Sequence, residues 1–474
     1  MRVAGTVWEW MNAIGICRDN YDQLRLPCPA GRLFRSGIFR QIKTDARVRI
    51  LYKAEMDELA KKQGGSIAEL DVRLIHKQQN DRIASGKMAE YHPFPSDDVL
   101  TVNYSTVASK RYTIGLEEIK EGHVAAVVMA GGMGTRLGCN KPKGTFTIGV
   151  AHTTPSIFQI QAMRILALQR KARGVIPYYV MCSRDNEAET RRFFETGAGG
   201  TGSPFFGLDP AQVVFFTQGE VPCFDLDYQP LKSGPDSLVT AADGNGGLYS
   251  ALFNGPNGPG TSTAWLDIER RGVRYIHVFT VDNPLTRICD PELVGQFVTH
   301  GYDAALKAIP KRGPEEKIGV ICHNGGGTVV AEYSELPQDL RGATDEDGKL
   351  LFSCGNIANH MFTVEFIKKV ALHQLPWHVA KKTIPYYDEA TGQTVNPPTP
   401  NGYKLEQFIF DSLTFADRIG VIMVAREHEF APIKNAEGED SPATAEAMVR
   451  DELVYYGTRG FEEEFDEVRW RTVD

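Results

Sequence analysis

The stretch HVAAVVMA, residues 123–130, runs directly into GGMGTRLG and constrains the fold more than any other part of this 474-residue chain. A strand with one wet face alternates apolar and polar residues. A near-continuous apolar strand has both faces covered, as in the middle of a parallel sheet. The downstream segments keep that texture. TPSIFQIQAMRILALQRKA (154–172) has an apolar stripe through Ile157, Ile160, Ile165 and Leu168 with Ser156 as a cap. VIPYYVMCS (175–183), VVFFTQG (213–219) and RYIHVFTVDNPL (274–285) read as strands, and DNEAETRRFFE (185–195) and the segment from Pro291 to His300 as helices. IGVICHNGGGTVVAEYSEL reads as a hairpin turning at Gly325–Gly327. Strands alternating with helices predict a doubly wound, mostly parallel α/β sheet flanked by helices.

Composition narrows the partners. Lys plus Arg number 52 and Asp plus Glu 60, a formal charge of −8, so nothing draws the whole chain toward nucleic acid or anionic lipid. An anionic ligand must be held by a local cluster of donors. Eight scattered cysteines form no C-x-x-C pair or zinc spacing, which fits free thiols in a reducing compartment. The N-terminus, broken by Glu9 and Asn12, lacks a signal-peptide core, and no run approaches the ~18 apolar residues of a membrane span. The expectation is a cytoplasmic protein. Residues 1–46 show no period, Arg47 to Ser85 reads as two amphipathic helices split at Gly64-Gly65, and YHPFPSDD reads as a linker. The acidic tail EEEFDEVRWRTVD reads as a solvated or frayed end.

MAGGMGTRLGCNKPKG, Met129 to Gly144, carries the most chemistry. Gly131, Gly132, Gly134 and Gly138 let main-chain N–H groups approach phosphate oxygens, and Arg136 and Lys143 supply positive charge. It is not the dinucleotide fingerprint, because the third glycine comes one residue late and Pro142 stops the helix; Lys143 followed by Gly144 excludes a Walker loop. A tight turn alone is the competing reading. DGNGGLY (Asp243–Tyr249) is a second glycine-dense loop, in which Asn245 could read sugar hydroxyls and amides or simply form a turn. Asp282 ends a strand where a carboxylate could hold Mg²⁺ beside phosphates, or cap a turn. GNIANH (Gly355–His360) reads as an Asx-type turn, and Lys404 and Lys434 are single lysines in apolar settings. Asp225-Leu-Asp227 and Asp345-Glu-Asp347 have a metal–nucleotide spacing too common to count among 60 acids. No catalytic triad is needed: a phosphomonoester anion can attack an α-phosphorus without a general base, helped by positioning and charge neutralisation.

These motifs, with TQG (Thr217–Gly219), EYSE (Glu332–Glu335), PNGYKLEQFIFD and FAPIKNA…DSP, occur in the order found in eukaryotic-type UDP-N-acetylglucosamine pyrophosphorylases, which the chain resembles over roughly residues 112–445. The resemblance implies a Rossmann-like, GT-A-related nucleotidyltransferase using UTP and N-acetylglucosamine 1-phosphate with Mg²⁺, or Mn²⁺ in its place. The organisation expected is an N-terminal extension and helical region over 1–117, a catalytic domain over 118–425 and a short C-terminal region over 426–474. The resemblance places Met129, Ala130, Gly131 and Gly132 at the uridine, Gln218 at the uracil, and Gly244 beside base and ribose. Arg136, Lys143 and Lys404 would engage UTP phosphates, Asp282 the nucleotide and metal, and Lys434 the sugar phosphate. Asn245, Glu332, Tyr333 and Asn356 would hold the N-acetylhexosamine, with Phe408 and Phe410 packed around it. Lys141 stands where an uncharged residue is more usual. The alternatives are another sugar 1-phosphate, of glucose or N-acetylgalactosamine, and, in a different class, a glycosyltransferase consuming a UDP-sugar or a non-catalytic sugar-nucleotide sensor.

Overall fold

A computed structural model describes residues 72–84, 91–102, 109–149, 154–200, 202–333 and 335–457. The segment 1–46, the first helix expected after Arg47 and the acidic tail lie outside them. The chain divides into two units. The smaller is described over Pro222–Val239 and Thr383–Gly402, where two short hairpins are joined by the Lys232–Glu389 ion pair at 2.8 Å. The larger unit is built on the central sheet.

That sheet has 11 strands. The principal ones are β1 (Val99–Thr101), β2 (Val124–Met129), β3 (Tyr178–Cys182), β4 (Val213–Thr217), β5 (Tyr275–Thr280), β6 (Ala304–Pro310), β7 (Val320–Asn324), β8 (Gly327–Ala331), β9 (Cys354–Thr363) and β10 (Ile419–Met423). The order across the sheet is β1-β10-β6-β9-β5-β2-β3-β4. All neighbours are parallel except β9, which runs antiparallel to both β5 and β6. The hairpin β7–β8 branches from the path at Val320↔Gly355.

The apolar run in β2 is explained by its two faces. Val124, Ala126 and Val128 pack with Ile157, Phe158 and Phe297, whereas Ala125, Val127 and Met129 pack with Leu252, Trp265 and Ile367. The helices covering the first face are α1 (Lys110–Lys120), α2 (Ile157–Ala172) and α3 (Pro291–His300). Ser156 caps α2 as the sequence indicates, its hydroxyl accepting from Gln159 N–H at 3.1 Å. Helices α1 and α3 lie backbone to backbone: a Cβ at Gly115 would enter the Pro291 carbonyl, and one at Gly295 the Arg111 carbonyl.

Two local readings are corrected. The stretch expected to be a linker contributes His92–Pro93, paired with His323 and Cys322, while Phe94 stacks on His323 at 4.8 Å and β1 joins the sheet edge. GNIANH is no free turn but the middle of β9. Its Asx-like contact, Ala358 N–H donating to Asn356 Oδ1 at 3.2 Å with Ala358 at φ 51°, sits inside a strand whose register against β6 shifts between Leu306 and Ala308. Helix Val72–Ala84 forms within the second of the two predicted helices. No helix among the described residues is long and apolar enough to cross a membrane.

Candidate active site

The parallel half of the sheet reverses its winding between β2 and β5, since β3 and β4 lie on one side of β2 and β5 on the other. At such a point the connections leave the strand ends in opposite directions and open a crevice. Both the glycine loop and the VDN motif arrive there. The chain leaves β2 at Met129 and β5 at Thr280, and Val281 N–H donates to Met129 O at 3.1 Å. Met129 and Ala130 are buried, Gly131 half-buried and Gly132 exposed. The loop then folds on itself: Gly134 N–H donates to Lys141 O at 2.9 Å and Lys143 N–H to Gly132 O at 3.1 Å, with Gly138 at φ 73°. This closure brings Lys143 Nζ to 3.3 Å from Asp282 Oδ2, a half-buried pair.

Gln218 follows β4 and is held by its N–H to Cys182 O at 2.9 Å. Its amide oxygen occupies the space of a Cβ at Gly131, so the glycine lets the loop backbone lie against that amide. The second glycine loop is pinned to the segment 407–409. Gly246 N–H donates to Gln407 O and Ile409 N–H to Asn245 Oδ1, both at 2.9 Å, and Gly244 at φ 90° has no room for a side chain beside the Gln407 backbone. Asp243 is enclosed between Gly219 and Gly247, its Oδ1 without a hydrogen-bond partner among the described residues. Burial, with nearby Glu220 adding repulsion, pushes its carboxyl up to about 7.

On the other side of Asp282, its carbonyl accepts from Ile433 N–H at 2.9 Å, which sets Lys434 beside it. Lys434 is half exposed, pairs with Asp440 at 3.4 Å and lies 5.5 Å from the Phe430 ring centre. Glu332 is half-buried; burial and Glu335 raise its carboxyl above the usual range, while His378 and Lys434 oppose the shift. His378 Nε2 meets Asp411 Oδ2 at 2.8 Å and its ring lies 4.3 Å from that of Phe408, which in turn lies 5.1 Å from Phe410. Asn356 is half-buried on β9, and Tyr333 is exposed.

Lys143 and Asp282 are thus brought together, with the Lys434 main chain one residue from the Asp282 contact, as are Gln218 with Gly131, and Gly244 and Asn245 with the Phe408 segment. The side chains of Arg136, exposed on the turn Thr135–Leu137, and Lys404, half-buried on the strand Gly402–Glu406, make no hydrogen bond or ion pair among the described residues. Lys141 is exposed. Both D-x-D motifs cap their own turns: Asp225 Oδ1 accepts from Asp227 and Gln229 N–H groups, and Asp345 Oδ1 from those of Asp347 and Lys349. Sequence reasoning missed Asp243, Asn283, His378 and Asp411. Asp243, Asn283 and Asp411 stand inside quoted motifs, in DGNGG, VDN and PNGYKLEQFIFD, and that was the available signal; His378, 33 positions before its partner Asp411, left none.

A glycine loop at the switch point of a mostly parallel sheet, with a lysine on the carboxylate that follows the neighbouring strand, is the arrangement of a sugar-phosphate nucleotidyltransferase. The family model described as UTP–glucose-1-phosphate uridylyltransferase matches residues 69–447, and the chain belongs to that family. It is 38% identical over 355 residues to the UDP-N-acetylglucosamine pyrophosphorylase of Saccharomyces cerevisiae, covering 73% of this chain and 72% of that one. It is 39% identical over 370 residues to the human UDP-N-acetylhexosamine pyrophosphorylase-like protein 1, covering 75% and 70%. Among solved structures, the Trypanosoma brucei uridine diphosphate N-acetylglucosamine pyrophosphorylase in complex with inhibitor superposes with a TM-score of 0.71 at 26% identity, covering 90% of this chain and 88% of that one.

Proposed function

We propose that the chain is a uridylyltransferase that joins UTP to N-acetylglucosamine 1-phosphate, giving UDP-N-acetylglucosamine and pyrophosphate. A sugar-phosphate oxygen attacks the α-phosphorus in line, the new P–O bond forms, and the bond to the β-phosphate oxygen breaks as pyrophosphate leaves. The observation that supports this reading is Lys143 held on Asp282 at the switch point, with the segment that carries Lys434 bonded to the Asp282 main chain. The two substrates repel each other, so bringing them together needs fixed positive charge more than it needs a base.

Gln218 suits the uracil, its amide offering one donor and one acceptor beside the Gly131 backbone. Gly244 keeps the second loop close to base and ribose. Lys143 neutralises UTP phosphates; Arg136 and Lys404, with no partner to give up among the described residues, are available to a phosphate. Lys434 grips the sugar phosphate, and Asn245, Glu332, Tyr333 and Asn356 face the N-acetylhexosamine beside Phe408 and Phe410. No group of three or more metal-binding side chains occurs among the described residues. A single half-buried carboxylate, Asp282, fits Mg²⁺ or Mn²⁺ completed by phosphate oxygens and water rather than a caged ion. That ion would supply charge neutralisation at the phosphates.

Cys139, Cys182, Cys289, Cys322 and Cys354 are free thiols, which supports a cytoplasmic setting. The turn-capping roles of Asp225 and Asp345 speak against a glycosyltransferase with a D-x-D metal site. Pyrophosphate release measured with UTP and three sugar 1-phosphates tests the substrate. N-acetylglucosamine 1-phosphate is expected to give the highest kcat/KM; a higher value for glucose 1-phosphate, or no pyrophosphate with any, would contradict the reading.

A further inference from the structure

Lys434 lies outside every strand of the sheet, on an irregular segment that leaves the short helix Arg426–Glu429. What fixes that segment is a side chain from the loop after β5. Asn283, 1% exposed, donates through Nδ2 to Glu429 O at 2.7 Å and accepts through Oδ1 from Ala431 N–H at 3.0 Å. The same oxygen accepts from Leu285 N–H at 3.2 Å, so one amide closes its own loop and grips the neighbouring segment. Two residues further on, Ile433 N–H reaches the Asp282 carbonyl. Beneath, Glu429 is anchored at its other end. Both its carboxylate oxygens bond Lys307 Nζ, at 2.8 and 2.9 Å, and Lys307 also bonds Asp290 at 3.0 Å, all three side chains buried. Burial pulls the Lys307 ammonium down, but the two carboxylates outweigh it and hold it charged.

We propose that Asn283 is a positioning residue, whose amide holds the segment Glu429–Lys434 against Asp282 so that Lys434 meets the sugar phosphate. This rests on the proposed grip of Lys434 on that phosphate. The position requires both a donor and an acceptor. Aspartate keeps the acceptor and the shape but loses the donor and adds charge beside the Glu429 carbonyl; alanine strands the Glu429 carbonyl and the N–H groups of Ala431 and Leu285.

The test is a double-mutant cycle in the pyrophosphate-release assay, crossing Asn283→Ala with Lys434→Ala and varying each substrate. Expected for Asn283→Ala alone is a tenfold to hundredfold loss in kcat/KM for the sugar 1-phosphate, with the KM for UTP changed less than threefold. In the Lys434→Ala background the same substitution should cost less than threefold. An equal loss in both backgrounds, or an equal rise in both KM values, would overturn the proposal, because a general structural role acts without Lys434. Should Asn283→Ala fail to fold, Asn283→Asp takes its place in the cycle with the same expectations. Near-normal activity of Lys434→Ala by itself would defeat the role given to Lys434, and the proposal with it; additivity alongside a large Lys434→Ala effect defeats only the proposal.

Discussion

At Asp243 a carboxyl group fills the space between Gly219 and Gly247 and so couples the loop carrying Gln218 to the loop carrying Gly244 and Asn245. Its folded-state value of about 7 against an ordinary 3.8 has a definite sign. Between these values the folded chain keeps a proton that the unfolded chain has released, so the contribution to stability present at low pH is lost as pH rises to about 7. Asp243→Asn removes the titration. Relative to the parent chain, the variant should gain about 2 kcal/mol of stability between pH 5 and pH 8, read by denaturant unfolding at each pH. A stability difference independent of pH would show that Asp243 ionises freely. Asp243, Asn283 and His378 illustrate what single residues hide in a sequence. Each is defined by partners from distant segments, and spacing alone cannot name them.

Among the elements, β2, α2 and α3 were legible because their signals are local: an apolar run, a Ser156 cap, and Pro291 opening a helix after Asp290. Strand β9 was not. Asn356, Asn359 and His360 read as a polar turn, yet Asn359 Oδ1 pairs with His277 Nε2 of the adjacent β5 at 2.7 Å and His360 is buried in the sheet. The sheet supplies their environment, so the local pattern misleads. The edge strand at His92–Pro93 was hidden for a related reason, since proline there only means that one ladder position lacks a donor. The close approach of α1 and α3 also has a measurable consequence. Gly295→Ala pushes a methyl group into the Arg111 carbonyl and should cost about 1–3 kcal/mol of stability through overpacking. Because α3 lies on a sheet face and contributes no residue to the crevice, KM for both substrates should stay near normal in thermally intact samples. A stable variant with altered KM would mean that this helix pair feeds into the site.

For the molecule as a whole, the central sheet divides the work. Its parallel half, β2 to β5, carries the glycine loop, Gln218 and Asp282 at its strand ends, whereas Asn356 lies on antiparallel β9, Glu332 follows the β7–β8 hairpin and Lys434 lies on the segment after the helix Arg426–Glu429. Asp282 belongs to both, through its side chain to Lys143 and its carbonyl to Ile433. A chain with a formal charge of −8 can assemble two polyanions only where such a cluster locally reverses its field. The most direct measurement is kcat/KM for the sugar 1-phosphate in pyrophosphate release, compared between the parent chain and Lys434→Ala. A loss of about 3–4 kcal/mol in transition-state stabilisation, a few hundredfold in rate, is expected from removing one fixed charge. A folded Lys434→Ala protein with near-normal kcat/KM would contradict the convergence of charges on which the proposed reaction depends.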